Sequence, residues 1–133
     1  MGTNFDIDVP FVEHLGLRLL EKADGRSLIQ FDPRPEHFNS WQGVHGGVLL
    51  SLLDVALSSA ARSLDPACIG ATTVEMKTNF LAAAIGSFLT EGRAQRAGRS
   101  LIFAEGEVRD ADGMLLAKGS GTFKLLYPRN NEP

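Results

Sequence analysis

The stretch NSWQGVHGGVLLSLLDVALSSA, residues 39 to 60, decides how the chain is read. From Gly46 to about Leu64 it is the one long helix candidate. Val48, Leu49, Leu50, Leu52, Leu53, Val55 and Leu57 put apolar side chains nearly all around that helix, the pattern of a buried helix rather than a surface one. Asp65-Pro66 closes it, because the residue before a proline avoids helical geometry. In the middle of this run stands Asp54. A buried carboxylate is costly unless something holds it or uses it.

Outward from this helix, the pattern changes. Residues 9 to 15, VPFVEHL, suit a short helix with Pro10 in its first turn. LRLLEKADGRSLIQFD reads as two strands joined at Asp24-Gly25, a strong hairpin signal. PRPEHFNSWQG is loop, broken by Pro33 and Pro35. After the long helix come four strands. TTVEMKTNF alternates, with Val74, Met76, Thr78 and Phe80 on one face and Glu75, Lys77 and Asn79 on the other. GSFLTEGRAQR and SLIFAEGEVRD flank the turn AGR, and MLLAKGSGTFKLL is last. Gly92, Gly106, Gly119 and Gly121 lie inside these strands, where glycine marks a bulge or a close backbone approach. A helix pressed on the sheet needs that room. The economical architecture is α+β: an antiparallel sheet wrapped around one long central helix, as a single domain over residues 1–133.

Bulk properties narrow the function classes. A chain of 133 residues, 44% hydrophobic and 22% charged, suits one modest core. A net charge of -3 argues against a nucleic-acid surface. Cys68, the single cysteine, forms no internal disulfide, and no Cys/His cluster has metal-ligand spacing. The start, MGTNFDIDVPFVEHLG, lacks the basic and apolar regions of a signal peptide, and Asp6 spoils a myristoylation match. Val48 to Ala61 is too short to span a bilayer. The expectation is a cytoplasmic protein that uses neither membrane nor nucleic acid.

Two readings of Asp54 compete. Ser51, Asp54 and Ser58 share one helix face, as a polar stripe meeting water or as the lining of a reactive cleft. GVHGG favours the cleft. Glycines at a helix start leave N–H groups uncovered, and the electropositive N-terminus suits a polarised carbonyl oxygen. Gly46 and Asp54 stand about 12 Å apart along a helix. One carbonyl cannot touch both within one chain. If both act on one carbonyl, they come from two subunits related by a two-fold axis, with two shared sites.

The string Asn39-x5-His45-Gly46-Gly47-x6-Asp54 resembles the signature of hot-dog-fold acyl-CoA thioesterases of the phenylacetate-degradation (PaaI-like) type, and of the related 4-hydroxybenzoyl-CoA thioesterases. The strand order and TTVEMKTNFLAAA are similar to that family too, so the likeness covers most of the chain. It implies a hot-dog fold and hydrolysis of an aryl or medium-chain acyl-CoA by a homodimer or homotetramer. Asp54 would be the nucleophile or the general base, and the Gly46 N–H would polarise the thioester carbonyl. Asn39 would position substrate or water, and His45 would support the loop or the carbonyl. Ser58 and Thr73 match polar helpers, and Gly47 lets backbones pack or meets substrate. Gly98, Arg99 and Ser100 match the turn that meets coenzyme A. Coenzyme A is then part of the substrate, and no cofactor is implied.

The remaining candidates each carry a plain reading. Arg93, Arg96 and Arg99 form a basic hairpin, solvated or set against phosphate. Trp41 lines an acyl pocket or, the favoured reading, plugs the core. His14 and His37 read as surface or packing residues, and His45 as a loop or catalytic residue. Two rivals stand beside hydrolysis: a non-catalytic acyl-CoA sensor, and a hydratase or dehydratase acting on acyl thioesters. The combination of Asn39, Gly46 and Asp54 fits both less well.

Overall fold

The computed structural model describes Phe5 and residues 7–129. Helix α1 (Pro10–Leu15) leads into the hairpin β1 (Arg18–Ala23) and β2 (Arg26–Phe31), a 3-10 turn (Pro35–His37), and the long helix α2 (Gly46–Arg62). Strands β3 (Gly70–Phe80), β4 (Phe88–Arg96), β5 (Leu101–Asp110) and β6 (Leu115–Leu126) follow. The six strands form one sheet in the order β1-β2-β4-β5-β6-β3, every pair antiparallel. Helix α2 touches all six strands, the wrapped arrangement expected from the sequence. No described helix is long and apolar enough to cross a membrane.

The Asp24-Gly25 turn has φ of 53° and 81°, the doubly left-handed pair that a two-residue hairpin needs. Its tip is tied to the end of α2, where the Gly25 N–H donates to Ser63 Oγ at 2.7 Å. The helix ends at Arg62 with Ser63 as cap, a turn before the Asp65-Pro66 stop.

Small residues seat the helix. Ser27, Gly92, Gly106 and Gly119 are paired in succession across four strands, making a lane one residue wide. A Cβ on Gly92 would stand 2.6 Å from the Ala56 carbonyl oxygen, and one on Gly119 would stand 3.2 Å from Leu53 Cδ1. Ser27 Oγ donates to that same Ala56 oxygen at 2.6 Å. The close approach lets Leu52, Leu53 and Leu57 reach full burial among sheet residues such as Phe31, Phe88 and Phe123. Each such leucine contributes about 1.5–3 kcal/mol.

Two expectations are corrected. The helix is not buried all round in the single chain: Leu49, Leu52, Leu53, Ala56, Leu57 and Ala60 face the sheet, while Gly47 and Leu50 are exposed and Ser51, Asp54 and Ser58 half-buried. The simple alternation of β3 also fails. Its pairing with β6 steps from Thr73↔Phe123 to Glu75↔Thr122, so Val74 is the extra residue of a bulge. Met76, Thr78 and Phe80 face inward as read, but Thr73 replaces Val74 on that face. Strand β3 pairs with β6 alone, and its other edge is open.

Candidate active site

The bulge brings Thr73 to Asp54. With Val74 taken out of the alternation, Thr73 shares the inner face with Phe123's row and reaches the helix. Its Oγ1 donates to Asp54 Oδ1 at 2.5 Å. The second Asp54 oxygen has no protein partner among the described residues. Asp54 is therefore an oriented acceptor at the boundary of helix, open strand edge and solvent.

Ser58 is on the same stripe but does not reach the carboxylate. Its hydroxyl donates back to the Val55 carbonyl at 3.2 Å, as Ser51 does to the Gly47 carbonyl at 2.9 Å. Both are ordinary helix back-bonds.

The N-terminus of α2 is built by the loop before it. Asn39 Oδ1 accepts the N–H groups of Trp41 (2.8 Å) and Gly43 (3.1 Å), and the Asn39 N–H donates to the Gly43 carbonyl at 2.8 Å. The Val44 N–H is held by the Ala84 carbonyl, and the His45 N–H by the His37 carbonyl, both at 2.8 Å. Asn39 is thus a loop anchor through its oxygen, with Nδ2 left to donate. His45 is the helix N-cap, and its Nδ1 accepts the Gly47 N–H at 2.8 Å. A ring whose Nδ1 accepts carries its proton on Nε2. Of the two glycines, Gly47 has its donor taken. The Gly46 N–H stays uncommitted among the described residues, with the Phe80 ring closing one flank (3.4 Å from where a Cβ would sit).

The Gly98-Arg99-Ser100 turn is elsewhere. It lies past the C-terminal end of α2, opposite to Gly46. Arg96 donates to the Gly98 carbonyl (3.4 Å), the Arg99 carbonyl and Asp65 Oδ2 (3.4 Å), and Tyr127 OH donates to the same Asp65 oxygen at 2.5 Å. The Tyr127 bond, then the Ala67 N–H, hold the Asp65 carboxyl below its ordinary range, and the Tyr127 phenol is correspondingly raised. Arg93 forms a two-pronged pair with Glu107. Of the three arginines in the hairpin, Arg99 is left with no side-chain partner among the described residues. That Arg96 and Tyr127 meet at Asp65 carried no sequence signal, since the pairs are 31 and 62 residues apart.

Trp41 does not plug the core: it is 88% exposed. Val74 and Phe80 of β3, Leu81 directly after it and Ile85 in the loop that follows are exposed as well. His37 is a packing residue as read, buried against the Phe31 ring at 5.1 Å, whereas His14 is exposed. A groove of about 530 Å³ on the outer face of the sheet is lined by Glu75, Arg93 and Phe103, away from Asp54.

The sequence model described as the thioesterase superfamily matches residues 42–117. The chain is 35% identical over 114 residues, 84% of its own length and 80% of the relative's, to a Saccharolobus solfataricus protein named "putative esterase". It is 24% identical to the medium/long-chain acyl-CoA thioesterase YigI of Salmonella typhimurium, over 94% of this chain and 91% of that one. Among solved structures it is similar to a conserved protein of Pseudomonas aeruginosa (TM-score 0.81, 32% identity, 90% of this chain and 95% of that one). It shares its fold with the PaaI protein of E. coli (TM-score 0.81, 18% identity, 90% and 86% covered). The wrapped sheet is the hot-dog fold.

Proposed function

The chain belongs to the thioesterase superfamily and is a thioester hydrolase; from that premise we propose that it cleaves aryl or medium-chain acyl-CoA to the free acid and coenzyme A. The observation that carries the reading is the pair Thr73–Asp54, an oriented carboxylate about 12 Å along the helix from an uncommitted Gly46 N–H. One group delivers or activates the nucleophile and the other stabilises the carbonyl oxygen. Each needs the other's partner from a second chain.

The open edge of β3 supports a two-fold homodimer. The open edge of this eleven-residue strand offers unpaired backbone groups, with exposed Val74 and Phe80 on the strand and Leu81 directly after it. Antiparallel pairing of two such edges sets the helices antiparallel, with each Gly46 facing the partner subunit's carboxylate. The same operation carries the Arg99 turn of one subunit towards the other's Gly46, where it meets the coenzyme A phosphates. Asn39 and His45 hold the loop that aims Gly46, and Gly47 supplies the second donor that His45 caps.

The chemistry needs no metal, because a thioester is already activated. As general base, Asp54 takes a proton from the water that attacks the carbonyl and passes it to the coenzyme A sulfur, which leaves as the thiol; as nucleophile, it displaces that sulfur to form an acyl anhydride, which water then hydrolyses to the free acid and the restored carboxylate. Cys68 as the single cysteine fits a reducing, cytoplasmic setting. The test is thiol release from a panel of acyl-CoA thioesters. Asp54→Asn is expected to lose about 10²–10⁴ in kcat. Full activity in that variant, or in a strictly monomeric form shown by light scattering, would refute the shared site. Single turnover in heavy-oxygen water separates the two roles of Asp54: label in the carboxylate marks direct attack.

A further inference from the structure

The turn between β4 and β5 has a one-sided balance of donors and acceptors. The N–H groups of Ala97 and Gly98 both donate to the Leu101 carbonyl, at 2.9 and 3.2 Å. The carbonyls of Gly98 and Arg99 accept from the Arg96 guanidinium, and that of Ser100 accepts the Leu125 N–H at 2.8 Å. The N–H groups of Arg99 and Ser100 have no partner among the described residues. Three consecutive carbonyls are thus taken up by the protein, while two consecutive donors stay open. That is the polarity an anion needs, since a bare carbonyl oxygen beside a phosphate repels it.

The charges of the hairpin are sorted in the same way. Arg93 is paired with Glu107 and Arg96 with Asp65. Arg99 is exposed and keeps its full charge.

Arg96 is fixed from outside the turn. Its Nη1 serves the two carbonyls, and its Nη2 donates to Asp65 Oδ2 at 3.4 Å. Asp65 is held on both oxygens: Oδ1 accepts the Ala67 N–H at 2.9 Å, and Oδ2 accepts the Tyr127 hydroxyl at 2.5 Å. Tyr127 directly follows β6, the strand whose Leu125 N–H holds Ser100. A partly exposed ion pair adds little to stability, and fixing an arginine costs rotamer freedom. What three converging segments set here is the shape of the turn.

We propose that Asp65, Arg96 and Tyr127 are positioning residues for the coenzyme A end of the substrate: they take up the carbonyls of the turn, so that Arg99 and the two open N–H groups meet a phosphate. The proposal rests on the acyl-CoA reading above. It requires a guanidinium fork and not merely a charge, because a lysine cannot span two carbonyls and a carboxylate in one fixed geometry.

The probes are octanoyl-CoA and S-octanoyl-pantetheine, which carries the same thioester without any phosphate. Thiol release is the readout, beside thermal melts that confirm folding. Tyr127→Phe deletes one hydroxyl. Asp65→Asn keeps an acceptor for Ala67 and turns an amide N–H towards Arg96. Each raises KM for octanoyl-CoA about three- to tenfold, the scale of one lost hydrogen bond to a charged group, with kcat within about twofold. Both constants for octanoyl-pantetheine stay within about twofold in these two variants. Arg96→Lys raises KM for octanoyl-CoA to the same extent, and Arg99→Ala gives the scale of the phosphate contact itself. A parental KM for octanoyl-CoA in Tyr127→Phe or Asp65→Asn, with Arg99→Ala raising it, would overturn the proposal and leave the coenzyme A reading standing. Equal losses on both thioesters, the mark of a merely structural brace, would do the same. A parental KM in Arg96→Lys would make Arg96 a plain charge and overturn the fork. If Arg99→Ala also keeps the parental KM, the turn does not meet coenzyme A and the proposal falls. If the unmodified protein turns over no acyl-CoA, the acyl-CoA reading itself falls, and this proposal with it.

Discussion

Replacing Gly46 by proline deletes one atom pair, the N–H proposed to hold the thioester oxygen, and little else. Gly46 is the first residue of α2, where the N–H has no helical partner and proline is at home. The preceding residue, His45, has φ -58° and ψ 138°, inside the range that a following proline demands. A Cβ at Gly46 would meet the Phe80 ring at 3.4–3.7 Å, ordinary contact. The helix should therefore tolerate the change, with Tm within about 2 °C of the parent, equivalent to about 0.5 kcal/mol. The chemistry should not tolerate it. Losing one preorganised oxyanion donor costs about 2.7–4 kcal/mol, or about 10²–10³ in kcat. Gly46→Ala is the control: it adds the same Cβ, keeps the N–H, and should remain within about fivefold, since ordinary contact costs little. The assay is steady-state thiol release beside thermal melts of all three proteins. A folded Gly46→Pro protein with more than a tenth of the parent kcat would refute the assignment of the Gly46 N–H.

Four further outcomes follow from the geometry. Thr73→Val removes the bond to Asp54 and should lower kcat about tenfold, the scale of a hydrogen bond to a charged group in a partly exposed site. Ser58→Ala should stay within about twofold, because that hydroxyl bonds Val55 instead, and the same assay separates the two. Gly92→Ala forces a Cβ to within 2.6 Å of the Ala56 carbonyl and displaces Ser27 from it. Overpacking plus the lost bond costs about 2–4 kcal/mol, so Tm should drop by about 10 °C in calorimetry. His37 titrates below its ordinary 6.5, chiefly through burial and secondarily through the nearby Arg34 charge. The unfolded chain then binds the proton more readily, so stability is full above about pH 6.5 and declines as pH falls, levelling off beneath the lowered folded value. Denaturant titrations of His37→Asn, whose amide oxygen replaces Nδ1 as acceptor, should lose that part of the slope; an unchanged slope would exclude His37 as its source.

Much of the architecture was legible because local chemistry dictated it. Asp24-Gly25 can hardly be anything but a hairpin tip, and the strand glycines announced a helix pressed on the sheet. The Gly46 helix start and the Asp54 carboxylate were readable from residue type and spacing. What escaped reading was non-local. Nothing in TTVEMKTNF says that Val74 bulges, because the bulge is set by the ladder with β6; yet it is what turns Thr73 towards Asp54. His37 is buried because a Pro-flanked 3-10 turn tucks its ring onto Phe31, a contact made across a loop. Trp41 and the outer side of α2 looked like core because apolar residue type was taken for burial, while in the single chain Trp41 and Leu50 are exposed. The brace of Arg96, Asp65 and Tyr127 joins three distant segments, so Asp65 read only as a helix stop and Arg96 only as part of a basic turn.

The place of β3 in the sheet has a consequence for synthesis. This strand is made before β4, β5 and β6, yet its only ladder partner is the last of them, with Gly70 opposite Leu126 and Phe80 opposite Ala117. At translation speeds of about 5–20 residues per second, a nascent chain carries β3 for a few seconds with both edges bare. Glu75, Lys77 and Asn79, spaced along its outward face, act as gatekeepers through that interval, discouraging pairing with another unfinished chain. Ribosomal release short of β6 would leave Thr73 without the ladder that registers it against Asp54. The Thr73–Asp54 bond is thus a late product of translation, formed once the C-terminal strand has been both made and docked.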